Sequence, residues 1–331
     1  MIILIPKLLF LINMNLKMLI IDFSLAVQYR PRQCLTRQTE VLREGPLEGI
    51  NRMIKSAATV LLASASIAFS APAMAESVWD KIERTGEVVC GGVRNYPPTS
   101  FYVGGDLEYA GYGPRVCRQM AADLGKAMGK ELKLKWREVT WQSIVLDLQS
   151  GRLDIFPGMT ATEERKKALA MAGPVWQMSD CVIGAKGKEP LKNWSEYNTP
   201  NVTFAMVTGA AQTNFIKHDM PKARIMSLKE MSEAIMAVQS GRADYMLQEL
   251  PICIKTFESA RGVFSSYTVP EPVHGIPVSA ATRKDEDGRV QQFLQKWADD
   301  NRSKQTIVPL LLEGFKDAGM DTTALPEGIR F

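Results

Sequence analysis

The chain has 331 residues, 46% of them hydrophobic and 23% charged, with a formal net charge of +4. Eight of its 40 Lys/Arg and four of its 36 Asp/Glu fall in residues 1–75, so residues 76–331 carry 32 of each and are formally neutral. That balance, with no basic patch interleaved with aromatics, argues against a nucleic-acid partner. Two histidines, and cysteines without CxxC spacing, argue against zinc.

Residues 1–27 are apolar but interrupted by Lys7, Lys17 and Asp22, and a mixed polar stretch continues to 52. A misassigned upstream start, a membrane anchor and an extended signal region are the three readings of 1–52. The sequence favours the first, because a complete export signal begins at the internal Met53. Met53-Ile-Lys55 supplies a charged start, Ala57–Phe69 a short apolar core, and Ala73-Met-Ala75 a small-residue exit. Together they predict a secretory signal peptide over 53–75, cut before Glu76. Its apolar run is too short to span a bilayer. Export predicts a periplasmic protein in which disulfides are permitted. Cys90, Cys117, Cys181 and Cys253 fit one or two disulfides, or buried thiols, and their spacing leaves the pairing open.

From Ser77 helix and strand patterns alternate. The pattern predicts a strand at Glu87–Val93, a Pro-containing turn at Tyr96–Tyr102, a helix at 114–128 and a strand at Leu132–Glu138. Helix 141–149, strand 153–157, short helix 163–170 and strand Cys181–Ala185 follow. Lys186–Pro190 reads as a polar crossing. A second set comprises strand Val202–Val207, helix 210–218, strand 222–226 and helix 228–239. Ser227 and Glu230 are placed for a capping box on that last helix. Strand 243–247 and helix 251–260 come next, then a return crossing at Thr268–Gly275, strand Pro277–Thr282, and helices 288–298 and 304–318.

One phrase occurs twice, 90 residues apart: Leu148-Gln-Ser-Gly-Arg-Leu-Asp-Ile155 and Val238-Gln-Ser-Gly-Arg-Ala-Asp-Tyr245. Each copy ends an apolar-periodic helix with glycine and starts a short strand. After the copies come two polar turns, Gly158–Arg165 and Gln248-Glu-Leu-Pro251, at strand ends where open α/β sheets bind ligands. The repeat therefore predicts two similar α/β lobes. Lobe I is expected from 76–185 and 272–331 and lobe II from 186–271, with a hinge of two crossings and a cleft between them.

In Gly158–Arg165, Thr162 is placed to cap a helix with Glu163 and Glu164 in its first turn, where acids suit the helix dipole. Arg165 works against that dipole. Beside free N–H groups and the Thr160 hydroxyl, its planar fork would clamp a carboxylate; the plainer alternative is a surface ion pair.

As a set, several motifs resemble the periplasmic amino-acid-binding proteins of ABC importers, bacterial solute-binding family 3. They are Gly92-Val93 before Tyr96-Pro97-Pro98, Gly111-Tyr112 before a helix, and Trp141 before Leu-x-x-Gly-Arg-x-Asp. Gly158–Arg165, Gly173-Pro-Val-Trp176 and Gly241-Arg-Ala-Asp244 complete the set. The resemblance covers 77–318 and implies a type II binding-protein fold. It also implies that Arg165 takes a ligand α-carboxylate, with Gly158 and Thr160 contributing backbone and hydroxyl. Glu249, where the family more often has Asp, would take the α-ammonium beside Gln248. N–H groups of the turn Thr208–Gln212, including Gly209, Ala211 and Gln212, would add to the carboxylate site. Tyr96 and Trp141 would wall the ligand. Arg94 and Arg115 stand where the family usually has acids, which suits an anionic ligand unless both pair locally.

What the resemblance implies is a monomeric protein without cofactor or metal. It would close on a zwitterionic or anionic solute and present it to an inner-membrane permease. Two rivals share the fold. One is a periplasmic cyclohexadienyl (arogenate/prephenate) dehydratase-like enzyme using Glu249 as general acid. The other is an accessory or sensory protein without amino-acid binding.

Overall fold

In the computed structural model, which describes residues 76–105, 108–260 and 262–325, strands and helices are interleaved along most of the chain. The signal peptide expected at 53–75, and the stretch before it, lie outside the described residues. Helix α1 (Val78–Thr85) is capped by the Ser77 hydroxyl, which accepts from the Asp80 N–H at 3.0 Å, and ends at left-handed Gly86. Strand β1 (Glu87–Val93) matches its expected limits. The turn expected at Tyr96–Tyr102 is instead a small antiparallel sheet of β2 (Asn95–Tyr96), β3 (Ser100–Gly104) and β4 (Glu108–Ala110). The prolines masked it in sequence, because they occupy the tight turn between β2 and β3 and not a strand interior.

Helix α2 (Tyr112–Met128) starts two residues before the expected limit, and β5 (Lys133–Val139) pairs in parallel with β1. α3 (Ile144–Gln149) is shorter than expected, since 141–143 form a turn. β6 (Phe156–Thr160) and α4 (Glu163–Ala168) follow, the latter capped by Thr162, whose hydroxyl accepts from the Arg165 N–H at 3.2 Å. β7 is a correction: it runs for 16 residues, Ala170–Ala185, where only Cys181–Ala185 was expected. Gly173, Pro174 and polar residues hide its first half.

The second set comprises β8 (Thr203–Val207), α5 (Gln212–Asp219), β9 (Arg224–Leu228), α6 (Met231–Gln239), β10 (Tyr245–Glu249) and α7 (Leu250–Ser259). Ser227 does not cap α6, because it lies within β9. The capping box is Glu230 with Glu233. β11 (Phe264–Thr268), β12 (Gly275–Thr282), α8 (Arg289–Ser303) and α9 (Ile307–Asp317) complete the order.

β7 joins the two lobes. Its first half pairs antiparallel with β12, as far as Ser179 opposite Gly275, and its second half with β10, beginning at Asp180 opposite Glu249. β6 extends one side of this mixed sheet. β8 and β9 extend the other, parallel to β10, and β11 pairs with β7. The returning chain crosses before β12, where Glu271 bridges Asn193. A large apolar core runs under the sheets, and a smaller one gathers Trp194, Tyr197, Phe204 and Ile216.

The repeat has one structural meaning in both places. Gly151 and Gly241 are left-handed at φ 69° and 72°, ending α3 and α6. The aspartate three residues on ties down the start of the neighbouring strand. Asp154 accepts from the Val89 N–H at 2.9 Å, and Asp244 from the Thr203 N–H at 2.8 Å. A lysine completes each site: Lys81 reaches Asp154 at 2.7 Å and Lys188 reaches Asp244 at 3.2 Å. The first cysteine pair, Cys90 with Cys117, forms a disulfide between β1 and α2, while Cys181 and Cys253 are buried thiols.

Candidate functional site

The C-terminal ends of β6 and β10 face each other across a small cavity of about 20 Å³, room for about one water molecule. Eight of the ten residues expected from sequence line it: Arg165, Thr160, Glu249, Gln248, Trp141, Tyr96, Ala211 and Gln212. Gly158 and Gly209 stand just behind. Gly158 makes room for Trp176, whose ring would lie 2.0 Å from a Cβ added there. Gly209, left-handed at φ 86°, lets the lobe II turn approach the Trp141–Gln142 backbone, 2.7 Å from a Cβ. Thr99, Met159, Ala210 and Ile252 also line the cavity; Met159 and Ala210 lie within the expected segments Gly158–Arg165 and Thr208–Gln212, whereas Thr99 and Ile252 are ordinary turn and helix residues by pattern.

Arg165 is 8% exposed and is held by backbone from both lobes. Its Nη1 donates to the Thr160 carbonyl and its Nη2 to the Gly209 carbonyl, each at 3.0 Å. The lobe II turn thus meets Arg165 through a carbonyl. No carboxylate among the described residues forms an ion pair with it, and burial pulls its pKa down to about 10. On its outer side Arg165 borders an open groove of about 540 Å³ between α4 and the 208–214 turn.

Opposite it, Glu249 ends β10 and precedes Pro251 in the first turn of α7. Its Oε2 accepts from the Tyr112 hydroxyl at 2.9 Å, and the Tyr112 oxygen in turn accepts from Thr99 Oγ1 at 2.7 Å. Burial pushes Glu249 up to about 7, with Tyr112 pulling it back and nearby Asp180 adding to the rise. Tyr112 was read only as part of a motif. It is fixed from behind by Gly314 of α9, where a Cβ would come 2.3 Å from the Tyr112 backbone.

The remaining contacts close the cleft. Tyr96 donates to Gln248 Oε1 at 2.6 Å and packs edge-on against Trp141, with ring centroids 5.3 Å apart. Asn214 reaches Glu164 at 3.3 Å. Gln212 donates to Asp180 Oδ1 at 3.2 Å, and His274 meets Asp180 Oδ2 at 2.7 Å at the crossing between lobes. Burial raises the Asp180 carboxyl, while the bond to Asp180 raises His274. Three buried donors have no partner among the described residues: Trp141 Nε1, Gln248 Nε2 and, outside the cavity lining, Trp176 Nε1.

Arg94 and Arg115 are paired elsewhere. Arg94 binds Glu138 at 2.6 Å and lies over the Tyr102 ring, and Arg115 binds Asp317 at 2.6 Å. Neither lines the cavity. Among the described residues there is no group of side chains suited to a metal, and no helix is long and apolar enough to cross a membrane.

Two α/β lobes joined by a double crossing, with a polar cleft between them, define the type II periplasmic-binding-protein architecture. The chain belongs to the bacterial extracellular solute-binding proteins, family 3, whose model matches residues 88–307. It is similar to the ABC transporter glutamine-binding protein GlnH of Bacillus subtilis, 24% identical over 204 residues that cover 57% of this chain and 73% of that protein. The cyclohexadienyl dehydratase of Pseudomonas aeruginosa is 25% identical over 197 residues, 58% of this chain and 68% of that one. Among solved structures, the ancestral amino-acid-binding protein AncCDT-1, a precursor of cyclohexadienyl dehydratase, matches with a TM-score of 0.61 at 27% identity. That match covers 72% of this chain and all of the other.

Proposed function

We propose that this protein is a periplasmic receptor for a small amino acid, which it captures by hinge closure and hands to an ABC permease. The observation that carries the reading is Arg165, a buried guanidinium held by two carbonyls without a carboxylate partner. Glu164 and Glu249 act on it only through space, and a ligand carboxylate would offset the desolvation of this buried cation with a bidentate, charge-assisted pair. Glu249 stands across the cavity as partner for the ammonium, and Tyr96 and Trp141 cover the ligand. Residues 76–185 with 272–331, and 186–271, are the two lobes that close. The Tyr96–Gln248 and Arg165–Gly209 bonds already join them, so a ligand would be admitted by parting these contacts. Because Arg165 alone supplies positive charge among the lining residues, a zwitterion suits the cavity better than a dicarboxylate. Relatives named for glutamine binding and glutamate/aspartate import support the amino-acid class. The expected signal peptide and the family support export, with the protein working as a monomer.

A second reading has one observation in its favour: Glu249, raised to about 7 and bonded to Tyr112, has the protonation of a general acid, and one relative is a dehydratase. Both readings are tested by thermal shift of the purified full-length chain against amino acids, dicarboxylates and prephenate. A ligand at 100-fold its Kd stabilises the native state by roughly 2.7 kcal/mol. Stabilisation by an amino acid, lost in Arg165→Ala, with prephenate unconverted, supports the receptor. A flat amino-acid panel with prephenate turnover would establish the enzyme.

A further inference from the structure

The two unpartnered donors in the cavity lining say something about the ligand beyond its carboxylate and ammonium. Gln248 is 1% exposed and fixed by β10, whose backbone pairs with β7 opposite Cys181. Tyr96 donates to its Oε1, and Nε2 is left without an acceptor among the described residues. Trp141 Nε1 is a second buried donor without an acceptor, on a ring held between Tyr96 and Phe156. A buried donor left unmatched costs stability, and a site that presents such donors rejects ligands that cannot accept from them.

The carboxylates nearby are already committed. Both oxygens of Asp180 are taken, by Gln212 and His274. Glu249 has one oxygen bound to Tyr112 and the other left for an ammonium. A second positive charge on the ligand would therefore meet the N–H groups of Gln248 and Trp141, with no carboxylate besides Glu249 among the lining residues to pair with it. A second negative charge would find no cation besides Arg165 in the lining. A carbonyl oxygen, with two lone pairs and no charge, matches two neutral donors.

We infer that the ligand is an amino acid with a carboxamide side chain, its carbonyl oxygen accepting from Gln248 Nε2 and Trp141 Nε1. The inference rests on the receptor reading and goes further, naming the substrate class and the two residues that select it.

The test is calorimetric titration of the purified full-length chain with L-asparagine, L-glutamine, L-glutamate, L-lysine, L-arginine and L-norleucine. The better carboxamide is expected to bind at least tenfold more tightly than norleucine, lysine, arginine and glutamate. Gln248→Glu, which exchanges the donor for a carboxylate, is expected to weaken the carboxamide at least tenfold and to place lysine or arginine above it. Trp141→Phe keeps an aromatic wall and removes only the indole N–H. It should weaken the carboxamide by a larger factor than norleucine, and it serves if Gln248→Glu does not fold. Norleucine, a cationic amino acid or glutamate binding as tightly as the carboxamides would overturn the inference while leaving the receptor intact. An unchanged ranking in the folded variants would do the same. Silence across the whole panel would remove the receptor reading and this inference with it.

Discussion

Arg165 is positioned by geometry and opposed by desolvation. Its two carbonyl bonds hold the guanidinium but do not neutralise it. Arg165→Ala is therefore expected to lower amino-acid affinity by on the order of 100-fold, from loss of a buried charged pair worth about 3 kcal/mol. The melting temperature of the unliganded protein should fall by a few degrees at most, and calorimetry beside a thermal melt separates the two effects. Glu249 carries a pH signature of opposite sign for stability and for binding. Its folded pKa is raised to about 7 from 4.5, so its contribution to stability is full below pH 4.5 and is lost as pH rises through 7. Binding an ammonium needs the ionised form. Affinity should thus be greatest above pH 7 and fall by up to about tenfold per unit below it. Glu249→Gln should flatten that profile, weaken binding, and raise unliganded stability at pH 8 by about 1–3 kcal/mol. Titrations from pH 8 to pH 5 would expose a wrong sign.

At the scale of elements, the two copies of Gln-Ser-Gly-Arg-x-Asp make one device used twice: a left-handed glycine stops a helix, and an aspartate pins the adjacent strand. The copies differ in burial. Asp154 is 1% exposed and bonded to Lys81 at 2.7 Å, whereas Lys188 beside Asp244 is largely solvated. Asp154→Asn should therefore cost about 2–3 kcal/mol and Asp244→Asn about 1 kcal/mol, read as denaturant midpoints; the reverse order would contradict the pinning role. Gly158→Ala tests the strand that carries Thr160. A methyl group 2.0 Å from the Trp176 ring cannot be absorbed by a flexible tip, so about 1–3 kcal/mol of overpacking is expected, with weakened binding because Thr160 moves.

The helix and strand order was legible because period and punctuation are local. β1 matched its range, and Thr162 capped α4 as the Thr-Glu-Glu pattern implied. Misread elements had tertiary causes. β7 is a 16-residue strand because β12 pairs with its first half and β10 and β11 with its second, and no local pattern encodes a partner change at Ser179–Asp180. Ser227 looked like a cap until β9 claimed it, leaving Glu230 and Glu233 for the role. At the site, Arg165, Thr160, Gln248 and Glu249 were readable from the strand-end motifs. Tyr112 was read only within the Gly111-Tyr112 motif and without a role, and Thr99 and Ile252 were not placed at the site, since only the fold brings them there.

For the molecule as a whole, the Cys90–Cys117 disulfide staples β1 to α2 in the lobe that carries Tyr96, Trp141 and Arg165. Closing a loop of this length restricts the unfolded chain by roughly 3–4 kcal/mol. Reduction, or the paired change of both cysteines to alanine, should lower the melting temperature by about 6–15 °C. Ligand affinity should change little, because neither cysteine lines the cavity. A melt unaffected by reductant would remove the staple.

By itself the sequence determined a charge-balanced α/β chain built on an internal repeat, with an arginine near one strand end and an acid at the other. These features are local, fixed by periodicity, glycine stops and side-chain chemistry. Only the tertiary structure decided which cysteines pair, that Arg94 and Arg115 are spent on Glu138 and Asp317, and that Tyr112 holds Glu249. It also left Gln248 and Trp141 as donors without acceptors. Those outcomes depend on which atoms meet across the fold, and burial sets their energies, so no stretch of sequence contains them alone.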